Sequence, residues 1–261
     1  MSLVLSFKVF SFVFGSIIGS FLNALIHRIP NEISIAKPRS ECPHCNKVIY
    51  WYENIPILSY IFLRGKCSQC KNPISIRYPF VELIVGLFAL YITPESSDLL
   101  VITKYFLKVS VFSCFVVHFF IDVKHKILPN SVNLYLAVTL LALSGLEHHW
   151  KHILIGGAIG FLFPLIVTWL FYVVRGVVGL GGGDIKLFGA LGLYLGPVGI
   201  IYNLFLSCFV GALFSIFLIA IKKMDKKNPI AFGPFILLVA FAQVFFQKEF
   251  NSFLKLFFVV P

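Results

Sequence analysis

The stretch from Ile153 to Val174, ILIGGAIGFLFPLIVTWLFYVV, contains no charged side chain and is long enough to cross the hydrocarbon of a bilayer as one helix. In water so much contiguous apolar surface would need a core to cover it. In lipid it needs none, and a helix satisfies its own backbone hydrogen bonds. Similar stretches recur on either side. We count eight, at about 5–27, 79–92, 100–121, 131–146, 153–174, 185–196, 198–221 and 232–247. The second and sixth are short for a core of about 30 Å at about 1.5 Å per residue. No barrel-like alternation and no internal repeat is visible. The expectation is an all-α polytopic membrane protein with about eight transmembrane helices.

Composition agrees. Of 261 residues, 59% are hydrophobic, only 13% are charged, and Phe supplies 30; mean hydropathy is +0.92. The charged share is about half that of an ordinary soluble domain. A net charge of +11 would suggest nucleic acid as a partner in a soluble protein, but no soluble face large enough remains, so the expected partner is the lipid bilayer and not nucleic acid. The positive charges fall in alternate loops. One set holds Lys37, Arg39, Lys47, Arg64, Lys66, Lys71 and Arg77, then Lys124 and Lys126, then Arg175, then Lys222, Lys223, Lys226 and Lys227. The other holds Glu95 with Asp98, Glu147 with Lys151, and the uncharged Leu195-Gly196-Pro197 turn. The positive-inside rule puts the first set in the cytoplasm and both termini outside, a parity that eight spans satisfy. The N-terminal segment lacks a small-residue cleavage site and is interrupted by Asn23, so it reads as a retained helix rather than a signal peptide.

The one soluble module lies between the first two spans. This gives three expected regions: 1–29 as the first transmembrane helix, 30–78 as a small cytoplasmic zinc-binding domain, and 79–261 as a seven-helix membrane catalytic domain. The module carries Cys42-Pro43-His44-Cys45 and Cys67-Ser68-Gln69-Cys70. Two such pairs suit tetrahedral zinc held by Cys42, Cys45, Cys67 and Cys70. Two disulfides or four unrelated thiols are the other readings; a cytoplasmic position argues against the first and the double spacing against the second. Four thiolates would fill the metal's shell, so the zinc is structural. His44 reads as a surface residue, and Cys114 and Cys208 as buried apolar side chains.

Three acids lie at the edges of the apolar segments: Glu82, Asp122 and Asp184. Ionisable groups there are costly and are candidates for function. Asp122 closes the third segment and Asp184 opens the sixth after Gly181-Gly182-Gly183; the topology puts both at the cytoplasmic edge. Two carboxylates at close range share a proton, so one can activate water while the other polarises a carbonyl. The plain alternative makes Asp122 a helix-end charge and Asp184 an N-cap in a Gly-rich turn. Glu82 either pairs with Arg77 or helps to hold a cofactor. A transporter would also set acids beside a broken Gly-rich segment, although at the midplane, and a membrane scaffold with a zinc ribbon is a third class.

Several motifs together resemble the type IV prepilin peptidases. Gly181-Gly182-Gly183-Asp184-Ile185-Lys186-Leu187 is similar to their GxGD-x-KL motif, and Asp122 with Pro129-Asn130 beyond it resembles their other catalytic Asp. Gly19-Ser20-Phe21-Leu22-Asn23 with Arg28 and Pro30 resembles the first-helix signature. Pro38-Arg39-Ser40, the two CxxC pairs, and Arg77-Tyr78-Pro79 with Glu82 resemble the cytoplasmic domain. Phe232-Gly233-Pro234 is similar to the last-helix motif, although Ala231 stands where the family has Pro. The resemblance implies a bacterial inner-membrane aspartic peptidase with Asp122 and Asp184 as catalytic residues. Its substrates would be type IV prepilins and type II secretion pseudopilins, cut after a Gly that ends a short basic leader. It also implies N-methylation of the new N-terminus by S-adenosylmethionine. No Gly-rich loop of a soluble methyltransferase is present, and Glu82 is the one candidate contact for that donor.

Overall fold

A computed structural model describes residues 2–35, 39–221 and 230–257. Lys37, Pro38, Lys222, Lys223, Lys226 and Lys227 lie outside the described residues. The regular elements among the described residues are all helices, apart from two isolated bridges, Glu41 with Val48 and Lys66 with Pro73. The helices are α1 (Ser2–Arg28), α2 (Leu58–Phe62), α3 (Arg77–Tyr91), α4 (Leu99–His125), α5 (Asn130–Gly145), α6 (Trp150–Arg175), α7 (Gly182–Ala220), α8 (Gly233–Phe245) and α9 (Gln247–Phe257), with a 3-10 turn at Trp51–Asn54.

Each apolar segment read from the sequence falls on a helix. Among the described residues, four helices are long and apolar enough to cross a membrane, or five if the bent pair α8–α9 is one span. The chain is therefore a multi-pass membrane protein with four to five candidate crossings by helix length and hydropathy; the expected eight would require the shorter helices and both halves of α7 to cross as well. The difference lies in short helices and one long one. Helices α3 and α5 have 15 and 16 residues. Helix α7 runs for 39 residues, nearly twice the ~20 that a bilayer needs. It is broken at Gly196 (φ 68, ψ −175), followed by Pro197. Proline supplies no N–H, and the glycine takes a left-handed turn closed to most side chains. The break falls where the sequence separates its sixth and seventh segments.

The chain forms two compact units, Met1–Val117 and His118–Pro261. In the first, α1 and α3 meet through small residues. A Cβ on Gly15 would lie 2.6 Å from Ala89 Cβ, and one on Gly19 would lie 2.7 Å from Glu82 Cα. Asn23 Nδ2 donates to Gly19 O at 3.2 Å and to Tyr78 O at 3.1 Å, joining the two helices where the soluble module leaves and returns. The first part of α4 closes the unit with Tyr105 and Val109 against Ala89, and with Phe112 stacked on Phe88.

The second unit is built on α6 and α7. Their backbones nearly touch: a Cβ on Gly156 would sit 2.3 Å from Gly192 O, and one on Gly160 would sit 2.4 Å from Phe188 O. Without a hydrophobic drive in lipid, such close packing is what holds helices together. Asn203, fully buried on α7, donates to Gln243 Oε1 of α8 at 2.7 Å, and Gln243 Nε2 donates to Gly199 O at 2.8 Å. Helix α9, absent from the sequence reading, turns 104° away from α8. Substituting Gly156 by Val should strain this contact by about 1–3 kcal/mol. Thermal unfolding in detergent should show a clear loss of stability, whereas Gly145→Ala, with open space around it, should leave the transition unchanged.

Candidate functional site

The cysteine module is two matching knuckles. Cys42 N donates to Lys47 O at 2.9 Å, and Cys67 N donates to Asn72 O at 2.9 Å. The residue after each second cysteine is left-handed: Asn46 at φ 55 and Lys71 at φ 60. This turn folds each CxxC back so that its thiols converge. Cys42 Sγ lies 3.8 Å from Cys70 Sγ, and Cys45 Sγ lies 4.0 Å from Cys67 Sγ. All four sulfurs fall within 4.8 Å of one another. A zinc–sulfur length of about 2.3 Å in a tetrahedron requires sulfurs about 3.8 Å apart, so the four fit such an ion. His44 is exposed and outside the cluster, as the sequence suggests.

A polar lock surrounds the knuckles. Lys47 Nζ donates to Glu53 Oε1 at 2.7 Å and to Ser68 Oγ at 2.6 Å, tying the first knuckle to the 3-10 turn and to the second knuckle. The hydrogen bond from Lys47, with help from Ser68, holds the Glu53 carboxyl down at about 2. This pair was not foreseen from the sequence, where Lys47 was only one loop charge among many.

Glu82 is buried in the second turn of α3. Its Oε2 accepts from Ile57 N at 2.8 Å, and it bonds the Ser20 hydroxyl on α1. The pairing with Arg77 weighed from the sequence is not formed. The Arg77 guanidinium lies instead over the Tyr78 ring, 5.2 Å from its centroid. The reason is reach: Ile57, held at φ 63, brings its N–H to a carboxylate already turned into the α1–α3 contact.

In the second unit, Asp122 lies one turn inside α4, which continues to His125 rather than ending at the acid. Lys126 then turns left-handed (φ 55), with its N–H on Asp122 O at 2.8 Å, and sends the chain back so that Leu128 is buried. Asp122 is only 4% exposed. Its Oδ2 accepts from Gly233 N at 2.9 Å. Gly233 opens α8, whose N-cap has no side-chain bond and whose first turn contains Pro234. Helix N-termini leave N–H groups without partners, and Asp122 supplies an acceptor from a distant helix. A Cβ on Gly233 would fall 2.7 Å from Asp122 Oδ2, so a larger residue there would push the carboxyl off its present position.

Asp184 is half-buried in the first turn of α7; the N-cap is Gly181, not the acid. The capping role weighed from the sequence is therefore not the one it takes. The two aspartates are brought to one place. Leu128 touches both loops, since Cβ atoms on Gly183 and Gly233 would lie 2.9 Å from its Cβ and 3.1 Å from its Cδ2. Asp122 is near enough to Asp184 for their charges to interact. Asn133 Nδ2 donates to Gly183 O at 3.2 Å, and Lys186 Nζ to Asn130 Oδ1 at 2.7 Å, pinning the Gly-rich turn to α5. Leu128, Asn133 and the Gly233 N–H were missed as site residues. Only Gly-Pro at a helix start signalled the last of them. Such an arrangement, two acids against an open glycine turn, suits acid–base work on a peptide bond.

Comparison with known proteins identifies the group. A model of the bacterial peptidase A24 N-terminal domain matches residues 13–95, and one of the type IV leader peptidase family matches residues 109–216. A prepilin leader peptidase/N-methyltransferase of Stutzerimonas stutzeri is 33% identical over 95% of this chain and 93% of its own. The protein of that name from Aeromonas hydrophila is 34% identical over 86% of each chain. One from Myxococcus xanthus is 39% identical over 72% of this chain and 56% of its own.

The chain belongs to the type IV leader peptidase family.

No solved structure matches it. The N-terminal family model spans Glu82 and all four knuckle cysteines, and the leader peptidase model spans Asp122 and Asp184 but stops short of Gly233. From the knuckle geometry we expect the purified protein to carry about one tetrahedral metal ion such as zinc. A Cys42→Ser, Cys67→Ser double variant should lose it by elemental analysis, while the helical far-UV signal persists.

Proposed function

We propose that this chain cleaves the short basic leader of type IV prepilins and type II secretion pseudopilins after a Gly, with Asp122 and Asp184 as the acid–base pair. The observation that carries the reading is the convergence of these two acids, one buried and one half-buried, in a chain of the leader peptidase family. One carboxyl takes a proton from the attacking water while its partner, protonated, donates to the scissile carbonyl; the proton belongs to the pair as a whole. The Gly233 N–H holds the Asp122 carboxyl in one orientation. The turn Gly181-Gly182-Gly183 leaves backbone open for an extended peptide.

The topology proposed with this chemistry has eight crossings: α1, α3, α4, α5, α6, the two halves of α7, and α8. The basic loops then lie in the cytoplasm of a bacterial inner membrane, where a leader that is never exported would be found. The knuckle cysteines hold zinc, which supplies structural cross-linking and no chemistry. The names of the relatives support a second activity, N-methylation of the new N-terminus with S-adenosylmethionine as donor. Glu82 is the candidate contact offered by the sequence. Its carboxylate is committed to Ile57 and Ser20, and we assign it an anchoring role.

Asp122→Asn and Asp184→Asn should each abolish leader removal, at least a thousandfold, in a mass-spectrometric assay with a model prepilin. Asn at 122 keeps an acceptor for Gly233 N and should leave stability intact, whereas Asp122→Ala should also destabilise the protein by about 1–3 kcal/mol. Near-normal cleavage by either Asn variant would remove the mechanism. Methyl transfer needs a neutral amine aligned with the donor rather than a hydrolytic pair. Asp184→Asn should therefore still label a mature-length pilin from radioactive S-adenosylmethionine at the wild-type rate, and loss of labelling in a folded, donor-binding variant would mean that the two reactions share the pair.

A further inference from the structure

The knuckle module presents an apolar face that its own fold does not cover. Leu58, Ile61 and Phe62 of α2 are 51%, 62% and 80% exposed, and Trp51 in the adjoining 3-10 turn is 78% exposed. A polar module stapled by metal has little reason to set such side chains in water, and clustered exposed apolar residues mark an interaction surface. The question is what covers them.

The position of α2 along α3 supplies the answer. Ile57, the residue just before α2, gives its N–H to Glu82 Oε2 at 2.8 Å. Glu82 lies five residues beyond Arg77, the first residue of α3, about 7.5 Å along the axis at about 1.5 Å per residue. Its side chain slopes back toward the helix N-terminus, so Ile57 sits beside the first two turns of α3 rather than above its end. At that level α3 presents apolar side chains outward as well: Phe80 and Leu83 are exposed, and so is Ile76 just before the helix. The backbone at Ile57 (φ 63, ψ −50) makes a tight γ-turn, with Leu58 N on Pro56 O at 2.6 Å, a strained conformation that a β-branched residue adopts only when its surroundings impose it. The bend and the buried Glu82 contact hold α2 beside the first turns of α3. Arg64 and Lys66 follow the helix at once and are exposed, beside the apolar side chains, as in segments that rest on anionic lipid.

We propose that α2 lies in the headgroup layer of the cytoplasmic leaflet, with Leu58, Ile61 and Phe62 inserted among the acyl chains and Arg64 and Lys66 toward lipid phosphates. The partner is the bilayer surface itself. The inference rests on the reading of α3 as a membrane helix with the module on its cytoplasmic side. It makes the module a plate fastened to the membrane at Glu82 and along α2, at a fixed height over the bilayer.

The test uses the full-length, metal-loaded protein. Its three tryptophans, Trp51, Trp150 and Trp169, are replaced by Phe, and Phe62→Trp is added as the single reporter. The protein is reconstituted into phosphatidylcholine–phosphatidylglycerol vesicles with or without phospholipid brominated near the glycerol end of the acyl chain. Blue-shifted emission that the brominated lipid quenches at least twofold, with little quenching by aqueous iodide, is the expected result. Emission that iodide quenches and bromine does not would overturn the proposal. So would shielding that develops only when a prepilin peptide is added, which would make the face a substrate surface. Phe80→Trp in the same background reports on α3 separately. If that reporter is quenched while Phe62→Trp is not, the docking is wrong and α3 stands; if neither is quenched, the membrane reading of α3 has failed.

Discussion

A hydrocarbon core offers no hydrogen bonds, so every backbone group placed in it must find its partner within the protein. The unbroken helices meet this demand by themselves, and the informative places are the breaks. At Gly196-Pro197 the helical ladder of α7 is interrupted, and the Tyr194 carbonyl lies 3.3 Å from the His152 ring nitrogen of α6. The imidazole packs so closely that a Cβ on Gly196 would fall 2.0 Å from it. At the start of α8 an N–H is met by Asp122. Each repair is made by a polar side chain from another helix. The repairs therefore fix the relative positions of the helices as well as satisfying the backbone.

The same demand explains how a carboxylate comes to be buried where the chemistry is proposed. An acid in an apolar setting is expensive unless donors meet it. The N-terminus of α8 provides a donor and the positive end of a helix dipole together. The structural need of α8 and the catalytic need for a held carboxyl are met by one contact. That is why the site includes a glycine more than a hundred residues away in sequence.

Much of this was legible in the sequence. The helix positions followed from apolar runs, because lipid makes hydropathy a direct report of environment. The knuckle cysteines followed from spacing, because a tetrahedral ion demands converging pairs. The two aspartates stood out because acids are rare at such edges. The number of crossings was less legible, since α3 and α5 are short and one helix assignment runs through the break at Gly196. What could not be read was whatever depends on a partner distant in sequence: Gly233 on Asp122, Leu128 between two glycines, Lys47 on Glu53 and Ser68, and Ile57 on Glu82. The Glu82–Arg77 pairing was attractive because both sit on one helix. It lost to a backbone N–H that only the folded module brings near. Helix α9 was missed because its apolar residues are interspersed with Lys248, Glu249, Asn251 and Lys255, which lowers local hydropathy without preventing an amphipathic helix.

The α1–α3 contact has one more implication. Gly19 on Glu82 and Asn23 on Tyr78 clamp the two points between which the module is strung. Closing a loop of roughly 50 residues costs about 2 kcal/mol more chain entropy than closing a turn of about five, and here the helix pair carries that cost. The module is thus a side loop on a mount that the helix pair supplies. Its excision and replacement by a tight turn would relieve the helices of an entropic load but would strip the buried Glu82 of the Ile57 N–H, so that the mount returns part of its cost through one buried acid.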